Sequence, residues 1–280
     1  MKIKIKNIEL GDSLPIVLIG GPCVIENESM AFEVAEKATA ICRDLGIGYI
    51  FKASYKKANR TSLNSFTGIG DLESLKIIKS IGEKFDLPTL TDIHSRQEAE
   101  MAAEYVDILQ IPAFLCRQTE LLLAAGSTNK VVNIKKGQFL NPYDMKYAAE
   151  KVASTGNNKI LLTERGTTFG YNNLVVDMRS LEIMKETGYP VIMDATHSVQ
   201  MPGSGGITGG DSRFILPISK AATAVGIHGL FLEIHPEPSK ALSDAQSQLK
   251  LDYLPELLDV VVKIDSIVKS VDIISKFKSK

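Results

Sequence analysis

Short apolar runs alternate with helical patterns along the whole chain. Eight runs, at residues 16–20, 49–52, 88–91, 106–110, 131–134, 159–163, 190–193 and 229–232, have the length of buried strands. Between them, apolar residues recur at near-helical spacing. Phe32, Ala35, Ala38, Ile41 and Leu45 form one such set; Leu72, Leu75, Ile78 and Ile81 form another, behind Asp71 as the expected N-cap. Further helices are expected over 97–104, 119–125, 143–154, 177–187, 214–225 and 254–274. A repeated strand–helix order argues for a parallel sheet, and eight repeats favour a closed (β/α)8 TIM barrel over an open doubly wound sheet. Residues 1–11 alternate instead, Ile3 and Ile5 against lysines with Ile8 and Leu10 returning. They read as an N-terminal β-hairpin closing the bottom of the barrel. The chain has 280 residues, close to the roughly 250 of one barrel, and carries no linker, so a single domain over 1–280 is expected.

In such a barrel the chemistry sits where the strands end. The residues on or just past the run ends are polar: Cys23, Lys52, Lys57, Asp92, His94, Gln110, Lys135, Arg165, His197, Glu233 and His235. Three connections, 54–70, 166–173 and 198–213, are long enough for lids or binding loops. The third carries Gly203, Gly205, Gly206, Gly209 and Gly210. No Gly-Lys-Ser/Thr follows, so it is not a phosphate-binding P-loop and reads equally as a surface loop.

Bulk composition narrows the partners. A net charge of −1 gives no general reason to bind nucleic acid or an acidic membrane, and no run is long enough to cross a bilayer. Met1 to Lys6 alternate, so no signal peptide is expected. Cys23, Cys42 and Cys116 form no secreted disulfide pattern, which suits a reducing, cytoplasmic compartment. Against this neutral background Lys52, Lys57, Arg60, Lys135 and Arg165 gather at one rim. That concentration points to an anionic ligand, with some of the five as alternative ion-pair partners of Glu26, Asp92 or Glu164. Cys23, His197, Glu233 and Asp244 follow the first, seventh and eighth runs, which are neighbours in a closed barrel. Together they form a donor set for zinc, iron(II), manganese or cobalt. The competing reading makes Cys23 a small buried apolar residue and His197 a hydrogen-bonding one. Cys42, Cys116 and His228, without evident partners, are read as structural.

Long segments carry a resemblance to a known family. They include Gly21-Pro22-Cys23-Val24-Ile25-Glu26, the stretch from Phe51 to Ser62, Thr91-Asp92-Ile93-His94, and Gln110 to Gln118. Asn133 to Phe139, Asp194 to Gln200 and Glu233 to Asp244 complete the set. The chain resembles the 3-deoxy-D-manno-octulosonate 8-phosphate (KDO 8-phosphate) synthases. The resemblance implies a homotetrameric transferase of lipopolysaccharide biosynthesis that condenses phosphoenolpyruvate with D-arabinose 5-phosphate and water. It implies that Lys57, Gln110, Ala113, Lys135, Arg165 and His197 bind phosphoenolpyruvate. Asn59, Arg60 and Thr61 would bind arabinose 5-phosphate, with Arg117 reaching a neighbouring subunit's site. Lys57, His197 and Asp244 would act at the reacting atoms. Cys23, where other members carry Asn, resembles the metal-dependent branch, with Cys23, His197, Glu233 and Asp244 as ligands. The alternative is the sister 3-deoxy-D-arabino-heptulosonate 7-phosphate synthase, which uses erythrose 4-phosphate. That enzyme typically reads Lys-Pro-Arg-Thr where this chain has Lys57-Ala58-Asn59-Arg60.

Overall fold

The computed structural model describes residues 2–59, 65–171, 173–201 and 209–270. All eight expected strands form. After the hairpin β1 (Ile3–Ile5) and β2 (Ile8–Leu10), the barrel strands are β3 (Val17–Gly21), β4 (Gly48–Lys52), β5 (Thr89–Asp92), β6 (Ile108–Ile111), β7 (Val131–Lys135), β8 (Ile160–Glu164), β11 (Val191–Asp194) and β14 (Gly229–His235). Each pairs in parallel with the next, and β11 pairs with β14 while β14 pairs with β3, which closes the barrel. Helices α1 (Glu28–Asp44), α2 (Asp71–Phe85), α3 (Arg96–Ala103), α4 (Thr119–Ser127), α5 (Met145–Ala153), α6 (Arg179–Lys185), α7 (Ile215–Val225) and α8 (Leu254–Ser270) alternate with them.

The alternation of side chains along each strand divides the core in two. Val17, Ile19, Ile50, Leu90, Ile108, Val131, Leu161, Ile192 and Phe231 share one buried cluster with Ile3, Ile5, Ile8 and Leu10 of the hairpin. These are the inward positions. The residues between them, among them Leu18, Phe51, Leu109, Val132, Leu162, Met193 and Leu232, join the cluster that contains the helices' buried faces. Each such buried aliphatic side chain contributes about 1.5–3 kcal/mol. The hairpin closes the bottom through this inner cluster, and Gly48 makes room for it. A Cβ there would stand 2.9 Å from Ile8 Cγ2.

Several expected boundaries move. Asp71 is the first residue of α2, not its N-cap. Gly70, with φ of +125°, takes the cap position, and Asp71 instead places its charge at the positive helix end. Glu233 and His235 lie within the eighth barrel strand, not past it, because β15 (Leu249–Lys250) pairs with Ile234 and His235 and prolongs it. The connection 166–173 is largely an antiparallel ribbon of β9 (Thr167–Phe169) and β10 (Asn173–Val175). In 198–213, β12 (Gln200–Met201) pairs with β13 (Gly209–Gly210). Helix α5 begins at Met145 after a 3-10 turn over Pro142–Asp144, and α6 covers only Arg179–Lys185.

Candidate active site

Extending the inward parity one step beyond the apolar layer reaches Lys52, Asp92, Gln110, Asn133, Thr163, Asp194 and Glu233, and a second step on β7 reaches Lys135, all buried. A hydrogen-bonded belt forms part of this layer: Thr163 Oγ1 donates to Asn133 Oδ1 (2.7 Å), and Asn133 Nδ2 to Gln110 Oε1 (2.9 Å). Above it opens a cavity of about 650 Å³. Of the expected residues, Lys57, Asn59, Gln110, Ala113, Lys135, Arg165, His197 and Asp244 line it. Arg60 and Thr61 lie outside the described residues. Arg117 is exposed and does not line this cavity.

Four of the five expected cations are on the cavity wall, and their acidic partners differ from those expected. Lys52 Nζ pairs with Glu233 Oε1 at 3.0 Å and also donates to Ser54 Oγ and the Cys23 carbonyl. Lys135 Nζ pairs with Asp194 Oδ2 at 2.5 Å and stands 4.0 Å from the centre of the Phe231 ring. Asp92, Glu26 and Glu164 are engaged elsewhere: by His94, by Leu242 N and His235, and by Lys136. Sequence alone does not identify these pairs because they follow from which strands become neighbours. Lys57 Nζ stays 3.8 Å from Glu233 Oε1, beyond hydrogen-bond reach. Arg165 Nη2 donates to Gln200 Oε1 at 2.6 Å, while Nη1 is buried without a partner. An unpaired buried donor costs about 1–3 kcal/mol, and the side chain that carries it lines a cavity that can take an anion.

Three of the four expected metal ligands converge beside these cations. The ligand atoms of Cys23, Glu233 and Asp244 all lie within 4.8 Å of one another, and Cys23 Sγ is 3.3 Å from Asp244 Oδ2. His197 joins at the edge, its Nε2 3.5 Å from Glu233 Oε1. Gly21 fixes the approach of the Cys23 turn: its φ is +151°, and a Cβ would stand 2.2 Å from the Lys52 carbonyl oxygen. Asp244 itself adopts a left-handed conformation, with φ of +49°. Burial, with Glu233 nearby, pushes the Cys23 thiol well up. Burial works against the Glu233 charge too, yet His197, Lys52, Lys57 and Lys135 hold this carboxyl well below the usual range. Glu233 Oε2 is buried with no hydrogen-bond partner. A thiol, two carboxylates and an imidazole, with one carboxylate oxygen unsatisfied, fit a divalent metal ion.

Two features go beyond the expected site, in which Asp194 has no role and His94 is only a strand-end residue. Asp194, at the end of β11, is fully buried and meets His197 Nδ1 at 2.7 Å. That contact orients the ring and turns Nε2 toward Glu233. His94 stands between two carboxylates, with Nε2 3.2 Å from Asp92 Oδ2 and Nδ1 3.0 Å from Glu98 Oε2. Despite the opposing effect of burial, hydrogen bonds to Asp92 and Glu98 raise its pKa to about 9. His94 is therefore a fixed cation on the cavity wall. Inward parity was the available signal for Asp194; the pairing of His94 with Glu98 depends on how the chain enters α3, because His94 precedes its N-cap Ser95.

Comparison with known proteins places this geometry in a family. The profile of the DAHP synthetase I family matches residues 1–270. Among similar proteins is one from Geotalea daltonii, 54% identical over 269 residues, covering 96% of this chain and 99% of that protein. Others come from Geotalea uraniireducens (55%) and Geobacter sulfurreducens (52%), with the same coverage of each chain. All three are named 2-dehydro-3-deoxyphosphooctonate aldolase. The chain belongs to the DAHP synthetase I family and, within it, groups with the 2-dehydro-3-deoxyphosphooctonate aldolases.

Proposed function

We propose that this chain joins phosphoenolpyruvate, D-arabinose 5-phosphate and water into 3-deoxy-D-manno-octulosonate 8-phosphate, releasing inorganic phosphate. The observation that carries the reading is Arg165 Nη1, a buried donor without a partner, in one cavity with Lys57 and Lys135. The relatives' shared name supplies the identity of the eight-carbon product.

In this reading Lys57, Lys135 and Arg165 neutralise the phosphate and carboxylate of phosphoenolpyruvate, each charge-assisted bond contributing about 1.5–3 kcal/mol. Gln110 and Ala113 bound the donor, and Asn59, Arg60 and Thr61 hold the phosphate of the acceptor. C3 of phosphoenolpyruvate bonds to the aldehyde carbon, whose oxygen takes up a proton. Water adds at C2 and gives up a proton. The C2–O bond to phosphate then breaks, phosphate leaving with the electron pair, and the C2 hydroxyl loses its proton to become the keto group. The fixed charges around the cavity stabilise this redistribution without reorganising. A divalent ion held by Cys23, His197, Glu233 and Asp244 would supply Lewis acidity to a carbonyl or to water. Asp194 keeps the His197 ring aligned for that role.

A homotetramer belongs to the same proposal. Arg117, exposed and not lining its own cavity, supports it, because it is left available to a neighbouring copy's acceptor site. So does a cytoplasmic setting, which suits three buried free thiols. The deciding experiment is phosphate release from phosphoenolpyruvate with arabinose 5-phosphate, erythrose 4-phosphate or no aldose, before and after chelation. Release should require arabinose 5-phosphate. Faster turnover with erythrose 4-phosphate, or release without any aldose, would overturn the assignment. Undiminished activity in metal-analysed, stripped protein would remove the metal from it.

A further inference from the structure

Behind the cavity wall lies a pair of charges that the reaction does not use. At the ends of β7 and β8, Lys135 and Arg165 reach the cavity, while their sequence neighbours Lys136 and Glu164 do not line it. Both neighbours are nonetheless buried, with 0% and 1% of their surface exposed. Lys136 Nζ stands 3.4 Å from Glu164 Oε1 and donates to Thr167 Oγ1 (3.0 Å) and to the carbonyls of Gly137 and Leu140. Glu164 Oε1 accepts from two successive backbone groups, Arg165 N (2.9 Å) and Gly166 N (2.7 Å). Its other oxygen accepts from Ser180 Oγ of α6 at 2.6 Å. The chain turns immediately afterwards, at Gly166 with φ of +92°.

Burying two charges is costly, and apolar residues of similar size often stabilise a fold as well or better. Packing alone therefore does not account for this pair. Its hydrogen bonds do have a common target: one carboxylate oxygen fixes the peptide groups on both sides of the Arg165 Cα. Ser180 anchors that carboxylate to a helix, and Lys136 neutralises it while tying down the start of β9. Arg165 is the residue whose guanidinium must be aimed.

We propose that Lys136 and Glu164 are a positioning pair that aims Arg165 into the cavity from behind the barrel wall, and so sets its affinity for the phosphoenolpyruvate anion. The proposal rests on the anion-binding reading above and deepens it.

The test uses the full chain with Lys136→Met, Lys136→Arg, Glu164→Gln and Ser180→Ala. Binding of phosphoenolpyruvate and inorganic phosphate is measured by calorimetry, and kcat and KM for both substrates by phosphate release. Lys136→Met and Glu164→Gln should weaken phosphoenolpyruvate binding and raise its KM tenfold or more. The kcat should stay within threefold of wild type and the KM for arabinose 5-phosphate within twofold, the split expected when ground-state and transition-state binding are lost together. Lys136→Arg should return the affinity to within threefold of wild type, and Ser180→Ala, which keeps both charges, should weaken it three- to fivefold. Unchanged affinity in folded Lys136→Met or Glu164→Gln overturns the proposal, as does an arginine variant no better than the methionine one. Should neither of those two fold, an unchanged Ser180→Ala overturns it. A wild-type protein that binds phosphoenolpyruvate but makes no product refutes the synthase reading, while the affinity series still decides the pair.

Discussion

Replacing Asp194 by Asn tests whether the buried carboxylate orients His197 for the proposed metal ion. The two side chains are nearly isosteric, so the perturbation is electronic. Asp194 Oδ2 faces Lys135 Nζ at 2.5 Å and His197 Nδ1 at 2.7 Å, and Oδ1 accepts from His197 N at 2.9 Å and Thr196 Oγ1 at 3.1 Å. An asparagine that keeps the Oδ1 contacts turns its NH2 toward the ammonium and the ring. The ring then accepts at Nδ1 and carries its proton on Nε2, the nitrogen that faces Glu233. Loss of such an orienting partner typically weakens metal binding 10–100-fold. Removing one member of a buried ion pair costs about 3–5 kcal/mol, which corresponds to a fall in melting temperature of about 6–20 °C at this chain length. The assay is a cobalt(II) titration of chelator-treated protein, followed by its visible spectrum, beside a thermal melt. Lys135→Met is the control, because it breaks the same pair but leaves Asp194 on His197. It should melt early yet bind cobalt at least as well as wild type. Cobalt affinity in Asp194→Asn within threefold of wild type would refute the orienting role.

Three further outcomes follow from the ionisable groups. Cys23 is held protonated by burial and Glu233 and must lose its proton to ligate, so cobalt affinity should rise with pH, by up to about tenfold per unit for the one proton. An equal slope in Cys23→Ser would remove Cys23 from the ligand set. His94 has a folded pKa of about 9, above its unfolded value, so its contribution of at most about 3 kcal/mol is fully present below pH ~6.5. It disappears as pH rises through 9, and His94→Gln should abolish that alkaline loss in denaturant melts; an unaltered alkaline limb would contradict the clamp. His228 has the opposite sign: burial lowers its pKa, its Nδ1 accepts from Val191 N at 2.8 Å, and Nε2 faces Asp12 at 2.9 Å. Its stabilisation is present above the unfolded value and is lost as pH falls through the lower folded one. His228→Gln should therefore flatten the melting-temperature profile between pH 7 and 5, and a profile parallel to wild type would show that another group dominates.

Much of this was legible in the chain because a barrel strand needs only short apolar runs and period-two alternation, both local properties. The eight strands, the hairpin plug and the cavity residues Lys57, Gln110, Lys135, Arg165 and His197 follow from that local pattern. Pairing was not legible. Nothing near Lys135 in sequence announces Asp194, nor does anything near Lys52 announce Glu233; closure of β14 against β3 and β11 brings Glu233 and Asp194 into this layer. The distinction has a physical consequence for this site. Parity alone assigns Lys135 and Arg165 to the ligand, but the first is already matched by a carboxylate and only the second retains an unpaired buried donor. The anion's affinity should therefore be more sensitive to the aim of Arg165 than to the number of lysines around it. An account of specificity in this barrel has to include the outward-facing residues as well as the lining.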